Sequence, residues 1–135
     1  MSTVLDDIVS HITANTSGLT IRAGFIPDTP DTVITVMEPD PGLASLDTLG
    51  ASVGVIKIER PILQIRSRAG QDDYETARVN AETVYKVLHN LVNTTIDSTR
   101  YLIIEALQPP FNLGRDQNGR WASGFNIQIH KEPNA

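Results

Sequence analysis

Cysteine is absent from the sequence. That excludes a disulfide framework, a thiolate nucleophile and a cysteine-ligated metal. No apolar N-terminal run resembles a signal peptide, and no segment approaches the ~20 apolar residues of a membrane span. The chain is therefore expected outside the membrane and the secretory route. The triplets Asn15-Thr16-Ser17 and Asn93-Thr94-Thr95 then carry little weight as glycosylation sites. The histidines His11, His89 and His130 lie far apart and form no H-x-x-x-H or H-E-x-x-H pair, so no metal site is expected. There is no G-x-S-x-G elbow, no G-x-x-x-x-G-K-[ST] loop and no G-x-G-x-x-G after a strand. Nucleophilic catalysis, a phosphate cradle and a dinucleotide cofactor lose their usual support.

Basic charge is also scarce, and the formal net charge is −5. Tight nucleic-acid binding needs a basic footprint that this chain lacks overall. The charge is unevenly placed. Residues 1–54 hold seven acids and one base, whereas residues 55–69 hold four bases and one acid. What remains is a globular composition, 40% hydrophobic over 135 residues. That length suggests one domain, able to bury roughly 68% of its unfolded surface.

Val4, Leu5, Ile8 and Ile12 recur at helical spacing, with Ser2 or Thr3 as cap and Asn15 to Gly18 as stop. "LTIRAGFI" (19–26) and "VITVME" (33–38) alternate on either side of "PDTPDT", which predicts a hairpin over 19–38. Residues 39–52 carry prolines and glycines without a period and read as a long loop. Short strands are expected at 55–58 and 62–68, with Pro61 marking a start, a bulge or an edge. In the second, Leu63 and Ile65 point one way and Gln64, Arg66 and Arg68 the other.

The clearest helix runs from Tyr74 to about Asn93, with Tyr74, Ala77, Ala81, Val84, Leu88 and Leu91 as its apolar stripe. Asp72 and Glu75 resemble a capping box. "RYLIIEALQPP" (100–110) reads as a central strand, and "GRDQNGR" (114–120) as a turn. "WASGFNIQIH" (121–130) is the last strand, with Phe125, Ile127 and Ile129 inward. The tail from Lys131 is expected to fray.

The sum is an α+β fold: a largely antiparallel sheet of about six strands, with two helices packed on one face. Gln64, Arg66, Arg68, Asn126, Gln128 and His130 then share a sheet face that meets water or another subunit. Trp121 follows the turn and is either core or an interface anchor.

Most acids sit in turns or caps, as in Asp28/Asp31 and Asp72/Asp73. No acid, base and binding element share a recognisable spacing. An enzyme is not expected. The competing reading is a small ligand-binding or hydrolytic enzyme using Arg66, Arg68 and Asp72 or Asp73.

"ILQIRSRAGQDDYETARVNAETVYKVLHNL" resembles the signature of phage tail terminator proteins, often labelled minor capsid proteins. Asp73, Tyr74, Glu75, Ala77, Ala81, Glu82, Tyr85, Leu88 and His89 carry the likeness. "GFIPDTPDTVITVMEPDPG" resembles the family's hairpin and loop, and "ALQPPFNLGRDQNGRWASGFNIQIH" its final strands. The resemblance covers roughly Phe25 to Ile129. It implies one tail-terminator-like domain over 1–135 and no cofactor. Such a protein is made in the host bacterial cytoplasm and carried in the virion tail or neck. It forms a ring, typically hexameric, that caps the tail tube, stops its growth and offers a surface for the head connector. DNA passes through the lumen without specific binding. In that setting the charge blocks and loops suggest interface residues: Arg66, Arg68, Asp40, Asp47, Arg115, Asp116, Asn118, Arg120 and Trp121.

Overall fold

A computed structural model describes the backbone of residues 3–45 and 58–132, and the side chains of these residues except 39–45. The elements are α1 (Val4–Asn15), β1 (Ile21–Ala23), β2 (Val33–Ser45), β3 (Ile58–Gln71), α2 (Tyr74–Leu88), β4 (Leu91–Ile96), β5 (Thr99–Ala106), β6 (Phe111–Arg115) and β7 (Arg120–Lys131). The strands form one seven-stranded sheet in the order β1-β2-β3-β7-β5-β4, with β6 also paired to β7. All pairings are antiparallel except β1–β2.

That exception corrects the expected hairpin over 19–38. Ile21 pairs with Ile34 and Ala23 with Val36 in parallel. Parallel strands need a connection that travels back along their length. Residues 24–32 make that return, opened by Gly24 at φ 83°. Phe25 lies beyond the end of β1 and is 58% exposed.

β2 and β3 are also longer than the expected short strands. β2 continues through Pro39 and Pro41 to Ser45, so much of the expected loop is strand. Its pairing with β3 slips between Met37 and Asp40 and again between Asp40 and Leu43. Proline removes a ladder donor, and slips of this kind accommodate it. Pro61 likewise falls between the Asp40–Ile62 and Leu43–Arg60 pairs. Nearly all of the expected strand at 55–58 lies outside the described residues.

Both helices start on caps. Thr3 and Asp6 form a reciprocal capping box on α1. On α2 the cap is Asp73, whose carboxylate accepts the Thr76 N–H at 3.2 Å. Asp72, the expected cap, instead sits in the left-handed region at φ 57° and donates its N–H to the Gly119 carbonyl at 3.0 Å.

α2 stops at Leu88, before the expected Asn93. His89 donates its N–H to the Tyr85 carbonyl at 2.9 Å, and Asn90 turns the chain at φ 62°. Left-handed asparagine after a helix is a recurrent terminator. The His89 ring stacks on Tyr85, and its Nδ1 accepts the Ala106 N–H at 3.1 Å. Leu91 then begins β4, which pairs with β5 through the left-handed turn residues Asp97 and Ser98.

One core joins these elements. Ile8 and Ile12 of α1 and Val84 and Leu88 of α2 meet Ile34, Val36, Leu63, Ile65, Phe125, Ile127 and Ile129 of the sheet. The alternations read along β3 and β7 are both present: Leu63, Ile65, Phe125, Ile127 and Ile129 are fully buried. Tyr101 ties β5 to α1 by donating its hydroxyl to Asp7 Oδ2 at 2.5 Å, deep in the core. Burial, then the bond to Asp7, pushes the Tyr101 hydroxyl above its ordinary value. Lys131, expected to fray, is buried at the end of β7 and bonds Glu59 at 2.9 Å.

Gly124 of β7 pairs opposite Arg66 of β3. A Cβ there would overlap the Ile65 carbonyl oxygen and press on Leu113 and Arg66. Close backbone approach, rather than a left-handed φ, is what requires glycine at this position.

Candidate functional site: an arginine-lined recess

The return from β1 to β2 places Pro27 to Asp31 beside the end of β3 that leads into α2. Its two prolines have no N–H, so this segment presents mainly carbonyl acceptors. Arg68 collects them. Its Nε donates to the Asp31 carbonyl at 2.9 Å, and Nη2 to the carbonyls of Pro27, Asp28 and Pro30 at 2.7, 3.2 and 2.8 Å. Four acceptors fixed on one planar group suit arginine and no other side chain. Arg68 is only 6% exposed. Burial, then the neighbouring Arg120, lowers its pKa from the ordinary arginine value.

Arg120 holds the same segment from the first residue of β7. Its guanidinium reaches the Asp28 carbonyl at 2.7 Å and the carboxylates of Asp28 and Asp31, both at 3.1 Å. It also pairs with Asp116 at 2.8 Å. Asp116 shapes the turn before β7 by accepting the backbone N–H groups of Asn118 and Arg120 at 2.9 and 3.0 Å. The Arg120 N–H, together with the Arg120 guanidinium and the Asn118 N–H, outweighs desolvation and holds Asp116 below the usual carboxylate value. Desolvation works against the Arg120 charge, but the bonds to Asp116, Asp31 and Asp28 prevail and its pKa is raised. Two arginines therefore clip together the return segment and the β6–β7 turn, while Asp72 joins that turn to the start of α2.

Between these parts lies a recess of about 100 Å³, lined by Ile26, Arg66, Arg68, Gly114, Arg115, Asp116, Arg120 and Ala122. Of the expected interface residues, it brings together Arg66, Arg68, Arg115, Asp116 and Arg120. Trp121 sits next to it, half-buried, with its ring edge-on to Tyr74 at 6.1 Å and beneath Arg115 at 5.7 Å. Asn118 is exposed at the turn. Asp40 pairs through its backbone with Ile62, but its side chain lies outside the described set, as does Asp47 entirely.

The sequence does not announce that Asp28 and Asp31 belong to this cluster or that Arg68 is buried. The partners of Arg68 lie 37 to 41 residues away, beyond any local pattern. Among the described residues, no hydrogen bond or ion pair joins Arg66 or Arg68 to Asp72 or Asp73. Of the acids in the competing enzyme reading, Asp73 spends its carboxylate on the helix cap, and Asp72 enters the turn through its backbone N–H. No group of three or more His, Cys, Asp or Glu among the described residues could hold a metal ion. No described helix is long and apolar enough to cross a membrane.

Comparison with known proteins agrees with this architecture. A search of curated proteins finds no match. A chain of the virion of a native gene transfer agent particle has a similar fold, with TM-score 0.69 and 11% identity. That alignment covers 96% of this chain and 95% of the other. A second solved chain aligns with TM-score 0.55 and 11% identity, over 96% of this chain and 91% of that one. The model of the bacteriophage tail terminator protein family matches residues 11–133, a span that includes the whole recess and both of its arginine clips. The chain belongs to the bacteriophage tail terminator family and is a structural phage tail protein rather than an enzyme.

Proposed function

We propose that the whole chain, as one domain, is the subunit of a ring that caps the tail tube. The ring stops tube growth and offers the attachment surface for the head connector. The family match over 11–133 carries this reading. The similar chain from a gene transfer agent virion supports a place in the tail or neck of a particle. Synthesis takes place in the bacterial cytoplasm, and the ring is a hexamer.

The physical features suit such a subunit. Helices packed on one face would leave Gln64, Arg66, Asn126, Gln128 and His130 on the other for neighbours. Exposed apolar side chains lie at several places on the surface: Phe25, Val79, Val92, Leu107 and Phe111. A monomer gains nothing from exposing them, whereas a ring needs patches that bury on assembly. The net charge of −5 disfavours retention of DNA passing through the lumen.

Negative-stain microscopy tests the reading. Rings of the purified protein, or a cap on one end of tubes when tube protein is added, are expected. A protein that never associates with itself or with tubes overturns it. A monomer in isolation that caps tubes is compatible, because assembly on the tube suffices.

A further inference from the structure

The four guanidinium groups of the recess have different circumstances. Arg120 faces three carboxylates. Arg68 is satisfied by carbonyls, which occupy its N–H groups without cancelling its charge. Arg66 and Arg115 make no hydrogen bond or ion pair among the described residues, and Arg115 rests only on the Trp121 ring. Positive charge is thus in excess here, in a chain that is acidic overall. Two of the three balancing carboxylates, Asp28 and Asp31, have side chains 83% and 61% exposed, so water screens much of their effect.

The shape of the recess is as informative as its charge. Its floor is Gly114 and Ala122, paired across β6 and β7. A Cβ added to Gly114 would meet nothing within 4 Å, so the space above it is open. A volume of about 100 Å³ admits a group of a few heavy atoms, not a nucleotide. Ile26, 41% exposed, adds an apolar wall for an aliphatic stem. A small anion on a short carbon stem fits these walls.

We infer that the recess binds the carboxylate of an aspartate or glutamate from a second copy of this chain, gripped by Arg66 and Arg115 with Arg68 behind them. The guanidinium fork matches a carboxylate edge to edge; Arg66 is half-buried, where such a pair meets less competition from water, and Arg115 closes on it from the exposed rim. The chain supplies the complementary charge itself, with 16 acids against 11 lysines and arginines, among them the exposed Glu38 on β2. That same acidity works against a phosphate backbone as the occupant. The inference rests on the ring reading, since it needs neighbouring copies.

The test uses the full-length protein assembled as rings or on tail tubes. In the variant Arg66→Lys/Arg115→Lys the charge is kept and each guanidinium is replaced by an amine. A zero-length carbodiimide reagent then joins an amine to a carboxylate in contact with it. Mixed isotope-labelled and unlabelled subunits distinguish bonds between copies from bonds within one. Mass spectrometry is expected to find position 66 or 115 joined to an aspartate or glutamate of another copy. The variant Arg66→Glu/Arg115→Glu is expected to keep its circular dichroism spectrum and melting temperature while needing at least tenfold more protein to assemble.

Rings that form without such a bond, or a double glutamate variant that assembles like the parent, overturn the inference. A bond to tube protein instead, or binding of a DNA duplex that the glutamate variant abolishes, also overturns it by naming another occupant. Absence of any ring or cap by the parent protein is a different result, and it overturns the ring reading itself.

Discussion

The two sides of β3 and β7 hold their residues by different means. On one side Leu63, Ile65, Phe125 and Ile127 are fully buried in an aliphatic core shared with α1 and α2. On the other, Arg68 and Arg120 are nearly as buried, at 6% and 8% exposed, but each is fixed by directed bonds to the 27–31 segment. Burial of apolar groups is non-directional, so many side chains of similar volume serve. A guanidinium meeting four carbonyls has no substitute. The core thus tolerates change in kind, and the arginine clip does not.

The most damaging substitution should fall where the two sides meet. Gly124→Ala drives a methyl group into the Ile65 carbonyl, which belongs to the backbone and cannot swing aside. A loss of ~3 kcal/mol or more is expected, enough to threaten folding, as read by urea denaturation. Unchanged stability would mean that β3 and β7 are not so closely apposed.

The contrast itself is sharpened by comparing Arg68→Lys with Ile65→Val. Lysine keeps the charge but cannot reach four carbonyls from one planar group, and about 2 kcal/mol should be lost. Removing one methylene at Ile65 should cost about 1 kcal/mol. Proteolysis or hydrogen exchange should localise the first effect to residues 24–32 and show no such focus for the second. Equal and equally diffuse effects would erase the distinction between the two sides.

Tyr101→Phe probes a polar bond placed inside the core. It removes one donor from the buried Asp7, at an expected cost of about 1 kcal/mol in thermal or urea unfolding. A stabilised variant would show that the bond to Asp7 contributes nothing.

The smallest effect concerns acid. Asp116 has a lower pKa folded than unfolded, so the unfolded chain binds its proton more readily. Its contribution to stability is fully present above its unfolded value, about 3.9, and is lost as pH falls through the lower folded value. Asp116→Asn should lose stability at neutral pH and show a shallower decline in acid. A parallel decline in both proteins would remove Asp116 from the account.

The core side was legible because periodicity is a local property. Ala77, Ala81, Val84 and Leu88 step along one helix face, and Phe125, Ile127 and Ile129 alternate along one strand; all are fully buried. Leu91 continued the helical spacing but belongs to β4. The helix end depends on left-handed Asn90 and on His89 bonding Ala106, and neither alters the hydrophobic pattern. The direction of β1 was hidden in the same way. "PDTPDT" suits any reversal of the chain, and in this fold the segment is held by Arg68 and Arg120 from strands far along the sequence. The site was half visible for that reason. Arg66, Arg68, Arg115, Asp116 and Arg120 stood out as charged residues on strands and a turn, while their convergence and the part played by Asp28 and Asp31 arise only from the folded chain.

The proposed role is to end tail-tube growth, and tube length is its most direct measure. Purified tube protein should be polymerised with increasing amounts of this protein, and tube lengths scored by electron microscopy. Progressively shorter tubes, each with a ring of added density at one end, are the predicted result. A length distribution that does not respond to the protein, with both tube ends bare, would contradict the account.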